Sequence, residues 1–281
     1  MNTSNAICLS CRRWLSPLLA AVVAVGGICA TPYPAEAGLL DLIFQSIRVI
    51  QLANLSDEEE IAMGQQINAQ IVQEVAIYDN PTLTRYVNGI TQSLAQGSRR
   101  PQINYTVQTV KDDSINAFAT VGGFIYIHTG LLRAADNEAQ LASVIAHEMG
   151  HIEKRHVIQQ IQQAAIAEGI LSVGGIEENA LIDLGVELAL HRPNSREHEF
   201  EADTVGLELL KNAGYAPIAS VNFLKKLLDQ TDSTPEFLST HPDTEDRILA
   251  LEQSIEPEQA SVGRGLDSST YSRRINFLLM D

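Results

Sequence analysis

The sequence has little cysteine and few basic residues. Only three of its 281 residues are cysteines, Cys8, Cys11 and Cys29. The rest of the chain therefore offers no thiolate as a metal ligand or nucleophile, and no disulfide framework. Nineteen Lys and Arg residues against 35 Asp and Glu residues give a net charge of -16. This balance excludes the basic surface that binding to nucleic acid requires. A hydrophobic fraction of 45% is nevertheless that of a globular protein with a buried core.

Long hydrophobic runs are also scarce. One apolar run, residues 14–30, follows Arg12 and Arg13 and precedes a small-residue site at 35–37. This order predicts a secretory signal peptide over residues 1–37, cleaved after Ala37, and a periplasmic or secreted protein. The alternative is an uncleaved membrane anchor, although the run is short for one. Both interpretations leave the bulk of the chain outside the cytoplasm. We predict no other membrane-spanning segment.

Helical patterns dominate the remainder. Residues 38–54 are expected to form an amphipathic N-terminal helix. Ser56 and Glu59 have the spacing of a capping box, which predicts the start of the next helix. Asn80 and Ser195 are typical caps of two later helices, and the helical pattern also resumes from residues 136–137 onward. No repeat of 20 to 50 residues occurs. The expected fold class is therefore α+β and mainly helical.

The sheet is expected to be small. Strand-like sequence occurs at residues 103–110, 117–120 and 124–128, where β-branched and aromatic residues are frequent. Gly122 and Gly123 separate the last two segments and predict a tight turn between them. We expect these strands to form one small antiparallel sheet in the middle of the chain.

The clearest chemical pattern is a pair of histidines on one predicted helix. His147 and His151 are four residues apart, so both imidazoles project from the same face and can bind one metal ion. Glu148 lies beside them and could accept a proton from a metal-bound water. The helix is apolar on nearly every side, which predicts that it is buried. Buried histidines and a carboxylate need compensating partners, and a metal would supply them.

A catalytic zinc site needs a third protein ligand. Four of the other histidines, His128, His156, His191 and His198, are expected at the surface, because they lie on a strand or among charged residues. A predicted helix over residues 195–213 is more informative. It places Glu199 and Asp203 on one inward stripe and leaves Glu197 and Glu201 to solvent. Two inward carboxylates call for a cation or for hydrogen bonds, and this pattern alone leaves both as candidates.

The sequence resembles the HtpX-like and CAAX-prenyl endopeptidase group of gluzincin zinc peptidases over residues 55–254. Four blocks carry the resemblance in the same order: Asn116-Ala117-Phe118-Ala119 with Gly122-Gly123 and Tyr126; His147 to His151; Ser195-Arg196 with Glu199 to Asp203; and His241-Pro242 with Arg247. It implies a compact zincin-like peptidase domain. Residues 255–281 are then a C-terminal tail.

The resemblance also implies site residues. One zinc per chain would be held by His147, His151 and Glu199, with Glu148 as the general base. Asp203 would support a zinc-binding histidine from behind. The strand with Asn116, Ala117 and Phe118 would bind a protein or peptide substrate as an added strand.

His241 and Arg247 match a family block that contacts substrate or the tetrahedral intermediate, so both are candidate catalytic residues that face the zinc from the substrate side. His241 could instead occupy the fourth zinc position and keep the enzyme latent. A loop position without function is the third interpretation.

The predicted function is that of a zinc-dependent endopeptidase that hydrolyses exported, unfolded or misfolded proteins and so serves protein quality control. The alternative is a non-catalytic, zinc-stabilised binding or chaperone-like domain that holds extended chains. Glu148 distinguishes the two, because a structural zinc site does not need it.

Overall fold

The computed structural model describes residues 54–167, 178–230 and 234–280. The predicted signal peptide, its cleavage site and the N-terminal helix at 38–54 lie outside the described residues, apart from Asn54. The described helices are α1 (Asp57–Glu74), α2 (Pro81–Ala95), α3 (Thr129–Ala134), α4 (Glu138–Glu153), α5 (His156–Ala167), α6 (Glu178–His191), α7 (Arg196–Asn212), α8 (Ile218–Leu228), α9 (Glu236–Thr240), α10 (Thr244–Ser254) and α11 (Ser268–Leu278). The mainly helical α+β fold is confirmed.

The predicted helix starts are confirmed by their caps. The Ser56 side chain accepts a hydrogen bond from the Glu59 backbone N–H, and the Glu59 carboxylate accepts one from the Ser56 backbone N–H. Asn137 and Ser195 cap α4 and α7 in the same way, through Gln140 and His198. These bonds satisfy backbone donors that a helix leaves unpaired at its first turn. Local sequence therefore sets where the two site-bearing helices begin.

The sheet is mixed, which corrects the antiparallel prediction. Its strands are β1 (Thr106–Val110), β2 (Ala117–Ala119) and β3 (Phe124–His128), in the order β1-β3-β2. β2 pairs antiparallel with β3, whereas β1 pairs parallel with it. The chain reverses after β1 and again at Gly122 and Gly123, whose φ angles are positive, so β3 runs in the direction of β1. β3 thus takes the central position, and β2 becomes an edge strand of the described sheet.

Helix α4 is the centre of the described fold. Every residue of α4 from Ala139 to Ile152 is buried, so this helix is packed on all sides. The core cluster around it includes side chains from β3, from α2 and from α11 near the C-terminus. A second cluster joins α1, α5 and α6 to the sheet through Phe118 and Tyr126. No described helix is long and apolar enough to cross a membrane.

Helices α4 and α7 cross in close contact at two glycines. A Cβ atom added to Gly150 would lie 2.5 Å from the backbone oxygen of Ala202. A Cβ atom added to Gly206 would lie 2.9 Å from the backbone nitrogen of His147. Any larger residue at these positions would push the helices apart. The crossing therefore holds the backbone of α7 next to the histidines of α4.

We predict that Gly150→Ala lowers the free energy of unfolding by about 1–3 kcal/mol, because the methyl group overpacks a backbone contact. The matched control is Gly89→Ala in α2, where an added Cβ has no neighbour within 4 Å. There alanine should stabilise the helix by up to about 1 kcal/mol. Urea unfolding measures both changes, and equal effects of the two substitutions would contradict the close crossing.

Candidate active site

The two histidines of α4 converge on one point. Their Nε2 atoms lie 3.1 Å apart, and both side chains are almost fully buried. The spacing of four residues places the two rings on one face of the helix, as predicted. His147 uses its other ring nitrogen, Nδ1, to contact Asp203 Oδ1 at 2.9 Å. Its Nε2 atom is left available for a ligand.

Glu199 reaches the same point from α7. Its Oε2 lies 3.3 Å from His147 Nε2, and its Oε1 lies 3.3 Å from His151 Nε2. Its side chain is fully buried, and within the described part of the chain neither carboxylate oxygen has a geometrically regular hydrogen bond. Arg247 Nη1 forms an ion pair with Oε2 at 2.7 Å. Both oxygens thus face the two imidazoles, and Oε2 also faces the guanidinium of Arg247.

These side chains fit a zinc ion. One ligand atom each from His147, His151, Glu199 and His241 lies within 4.8 Å of the other three, and all four residues are buried. Two imidazole nitrogens and a carboxylate oxygen form a ligand set that catalytic zinc takes in proteins. Buried carboxylate oxygens without hydrogen bonds are costly unless a cation compensates them. The group predicted from sequence is therefore brought together around a position suited to zinc.

Glu148 points into the same space. Its side chain is 1% exposed, and among the described residues neither of its carboxylate oxygens has a regular hydrogen-bond partner. His241 lies close by, with its Nε2 3.3 Å from Glu148 Oε1. Burial raises the pKa of Glu148, but the charges of the neighbouring imidazoles, His241 first, outweigh burial and lower it. Glu148 is therefore a carboxylate that can accept a proton inside the site.

Asp203 and Arg247 form a buried support behind His147. Arg247 Nε and Nη2 donate to the two carboxylate oxygens of Asp203 at 2.7 and 2.8 Å. Burial would raise the pKa of Asp203, but the charge and hydrogen bonds of Arg247, with that of His147, lower it to about 2. An ionised Asp203 accepts the Nδ1 proton of His147 and so fixes the ring with Nε2 toward the metal position.

Arg247 is buried among the carboxylates of the site. Its guanidinium is 1% exposed and contacts Asp203, Glu199 and the backbone oxygen of His241. Two buried carboxylates hold this cation by charge. That Arg247 also faces the metal from the substrate side stays a prediction.

His241 lies next to the other three candidate metal ligands. Its ring stacks on Phe237 at 4.2 Å, and its Nδ1 lies 3.1 Å from the Phe237 backbone oxygen. Thr240 Oγ1 lies 2.9 Å from the same nitrogen. These contacts satisfy Nδ1 and leave Nε2 toward Glu148 and the metal ligands. The loop before α10 therefore adds a fourth ligand atom to the group, its third imidazole nitrogen.

The predicted substrate strand borders the site. Ala117 and Phe118 belong to β2, which pairs with β3 on one side, and Asn116 immediately precedes it. The Asn116 carboxamide oxygen accepts hydrogen bonds from Ala117 N and from Thr240 Oγ1. Phe118 lines a cleft of about 30 Å³ together with Glu148, His151 and His241. Leu188 in α6 closes the cleft on the other side, so little room is left for a substrate in this conformation.

Three histidines that we expected at the surface are buried. His128, His156 and His198 are 7%, 0% and 7% exposed, whereas His191 is exposed as predicted. Lys154 and Arg155 before His156 made that segment look solvated. Arg155 instead adopts a positive φ of 57°, and this turn folds α5 back against α4. The sequence signal that could have revealed the burial of His156 is its position, five residues after His151 at the end of the zinc motif.

His156 contacts the second metal-facing histidine. Its Nδ1 lies 2.8 Å from His151 Nδ1, and its Nε2 lies 3.1 Å from Glu201 Oε2. Burial, together with the charge of His151, lowers the pKa of His156 to about 2, so this ring is neutral. Glu201, expected in solvent, is only partly exposed and takes part in this contact.

Comparison with known proteins places the chain in a family. Residues 81–255 match the model of Peptidase family M48. The beta-barrel assembly-enhancing protease of Escherichia coli (strain K12) is 32% identical over 212 residues, which cover 70% of this chain and 44% of that protein. The mitochondrial metalloendopeptidase OMA1 of Arabidopsis thaliana is 32% identical over 192 residues, covering 67% of this chain and 39% of that protein.

The chain thus spans less than half the length of these curated relatives. The family match includes all four candidate metal ligands, Glu148 and Asp203, and it extends from the start of α2 to the residue after α10. The chain belongs to peptidase family M48, a family of zinc metallopeptidases.

Proposed function

We propose that this chain is a zinc-dependent endopeptidase that cleaves unfolded or misfolded proteins outside the cytoplasm. The observation that carries the proposal is a single buried group in which two imidazoles and a carboxylate can hold zinc beside an ionised Glu148. A purely structural metal site would have no use for that second carboxylate. The experiment that tests the proposal is cleavage of an unfolded protein by the zinc-loaded chain.

The mechanism assigns each residue a separate task. His147, His151 and Glu199 would hold the metal, and zinc supplies a Lewis acid that polarises the scissile carbonyl and acidifies water. Glu148 accepts the proton of the attacking water and passes it to the leaving amine. Asp203 keeps the His147 ring oriented. We propose that Arg247 positions Glu199 and Asp203 rather than touching substrate, because its N–H groups already face their carboxylates.

Substrate binding is proposed at β2. This strand pairs with β3 on one side and borders the cleft with its residue Phe118. An extended peptide that adds along the other side of β2 would bring its scissile peptide bond next to the metal position, with Glu148 beside it. Such binding recognises the peptide through backbone hydrogen bonds rather than through its side chains. It therefore suits unfolded proteins, whose backbone is exposed. The narrow cleft implies that α6 or the His241 loop must move before a peptide enters.

The proposed location rests on two supports. The predicted signal at residues 1–37 directs the chain out of the cytoplasm. The relative from Escherichia coli is named for enhancing β-barrel assembly, a process that suits an extracytoplasmic protease. Other relatives are mitochondrial, so the location of this chain is a separate proposal from its chemistry. We propose exported proteins as its substrates.

One observation favours a second function, a zinc-stabilised binding domain without catalysis. His241 joins the other three ligands within 4.8 Å, and four protein ligands are the pattern of a closed, structural zinc site. In that case the edge of β2 would hold extended chains without cutting them. The buried, ionised Glu148 argues for the peptidase, because it adds a buried charge that a structural site would not need.

We predict that Glu148→Gln lowers peptide cleavage by at least about a hundredfold, as loss of a general base does. Zinc content, measured by atomic emission, should stay at one ion per chain, because Glu148 is not among the three proposed ligands. The amide has nearly the shape of the carboxylate, so the melting temperature should not fall. A zinc-loaded variant with near-normal turnover would refute the mechanism.

We predict that Glu199→Ala loses zinc on dialysis, because the variant lacks the carboxylate ligand of the site and leaves Arg247 without that partner. The matched control is Glu197→Ala, which removes an exposed carboxylate from the same turn of α7. The control should retain one zinc per chain in the same dialysis. Retention of zinc by Glu199→Ala would show that other side chains, His241 among them, suffice to hold the ion.

We predict that His241→Ala raises basal cleavage while zinc content stays unchanged. The reason is that its Nε2 lies among the metal ligands and against Glu148, where it blocks the substrate position. If His241 instead stabilises the oxyanion, turnover should fall by about 10²–10³-fold. Steady-state kinetics on an unfolded protein distinguish these outcomes, and unchanged rates would mean that the loop has neither role.

A further inference from the structure

The two histidines of α4 are supported in different ways. His147 donates its Nδ1 proton to a carboxylate, Asp203, which Arg247 holds in place. Within residues 54–167, 178–230 and 234–280, no carboxylate contacts His151 at the corresponding nitrogen. Its Nδ1 instead lies 2.8 Å from Nδ1 of another imidazole, that of His156. None of the roles proposed so far uses this fully buried histidine.

The hydrogen-bond pattern fixes which atoms of His156 carry protons. If His151 binds a metal through Nε2, its Nδ1 carries the proton and must donate it. His156 Nδ1 must then accept, which requires an unprotonated Nδ1. The proton of the His156 ring therefore lies on Nε2, and Glu201 Oε2 is 3.1 Å away to receive it. Each contact in the chain from His151 to Glu201 has one donor and one acceptor.

The ring of His156 is also held in one plane. It stacks on His198 with centroids 4.1 Å apart and an angle of 8° between the rings. His198 and Glu201 both belong to the first two turns of α7, the helix that also carries Glu199. The same helix thus supplies a metal ligand and orients the residue behind a second ligand. His156 cannot rotate without losing both the stack and the Glu201 contact.

We propose that His156 and Glu201 are positioning residues for the zinc site, acting through His151. His156 accepts the Nδ1 proton of His151 and fixes its Nε2 toward the metal, and Glu201 fixes the tautomer of His156. Support of this kind makes a ligand more basic and orients it, and its loss commonly weakens metal binding by about 10–100-fold. The inference rests on the proposed zinc site and adds two residues to it.

A purely structural role for His156 makes a different prediction. A buried ring that only fills space would be replaced by any side chain of similar volume. A positioning residue is replaced only by a side chain that offers an acceptor where Nδ1 stands. His156→Leu fills the space without an acceptor, whereas His156→Asn supplies its Oδ1 at the corresponding distance from the backbone.

The experiment measures zinc dissociation constants of the full chain by competition with a chromophoric chelator. The melting temperature of each metal-free protein is recorded beside it. We expect His156→Leu to raise the dissociation constant by about 10–100-fold, and His156→Asn to recover most of that loss. The metal-free proteins of the two variants should melt at similar temperatures, because both substitutions lose the same stack on His198.

Glu201 provides an independent variant should His156→Leu fail to fold. Its side chain is 42% exposed, so Glu201→Ala leaves the core intact. We expect Glu201→Ala to raise the dissociation constant by about threefold or more, since it acts one residue further from the metal than His156. Glu197→Ala, which removes the same charge from the same helix, should leave the constant unchanged.

The outcomes separate this inference from the proposed function. Failure of the wild-type chain to bind zinc would refute the proposed function itself. Zinc binding by the wild type with an equal constant for His156→Leu would overturn only the role of His156. The role of His156 would also be overturned if His156→Asn and His156→Leu had the same zinc dissociation constant. The role of Glu201 would be overturned if Glu201→Ala and Glu197→Ala had the same constant.

Discussion

Glu199 can meet His147 and His151 only because two helices touch at their backbones. Gly150 of α4 lies against Ala202, and Gly206 of α7 lies against His147, with no room for a side chain at either position. This backbone contact sets the distance between α7 and the histidines of α4 that the Glu199 side chain must span. It also positions Asp203, His198 and Glu201, because all three belong to α7. The three proposed ligands and the groups behind two of them thus depend on one helix crossing.

Charge is the second constraint on this site. Three carboxylates, Glu148, Glu199 and Asp203, are buried or nearly so, and one buried cation, Arg247, lies among them. An imbalance of this kind is tolerated when a metal ion completes the group, because uncompensated buried charge is expensive. Metal binding and folding are then coupled, since the ion stabilises only the folded arrangement. The sequence after Cys29 has no cysteine and therefore no disulfide, so such coupling would be a separate source of stability for this part of the chain.

Much of the fold and the site could be predicted from the sequence. Capping residues such as Ser56 and Ser195 act through local hydrogen bonds, and the His147–His151 spacing acts within one helix. The order of the strands in the sheet could not be predicted, because the sequence patterns of the three strands do not show which strand lies between the other two. The burial of His156 was missed for a similar reason: a turn at Arg155 overrides the polar sequence around it. The carboxylate partners of Arg247 could not be predicted either, because sequence spacing does not reveal which carboxylates pair with it.

We propose that α4 and α7 together hold a catalytic zinc ion. A crystal structure with anomalous diffraction recorded on both sides of the zinc absorption edge would locate this ion. We expect one anomalous peak, about 2.0–2.2 Å from His147 Nε2, His151 Nε2 and a Glu199 carboxylate oxygen. Glu148 should lie beside the peak without being a ligand. A peak coordinated by other residues, or no peak in protein that retains zinc in solution, would contradict this account.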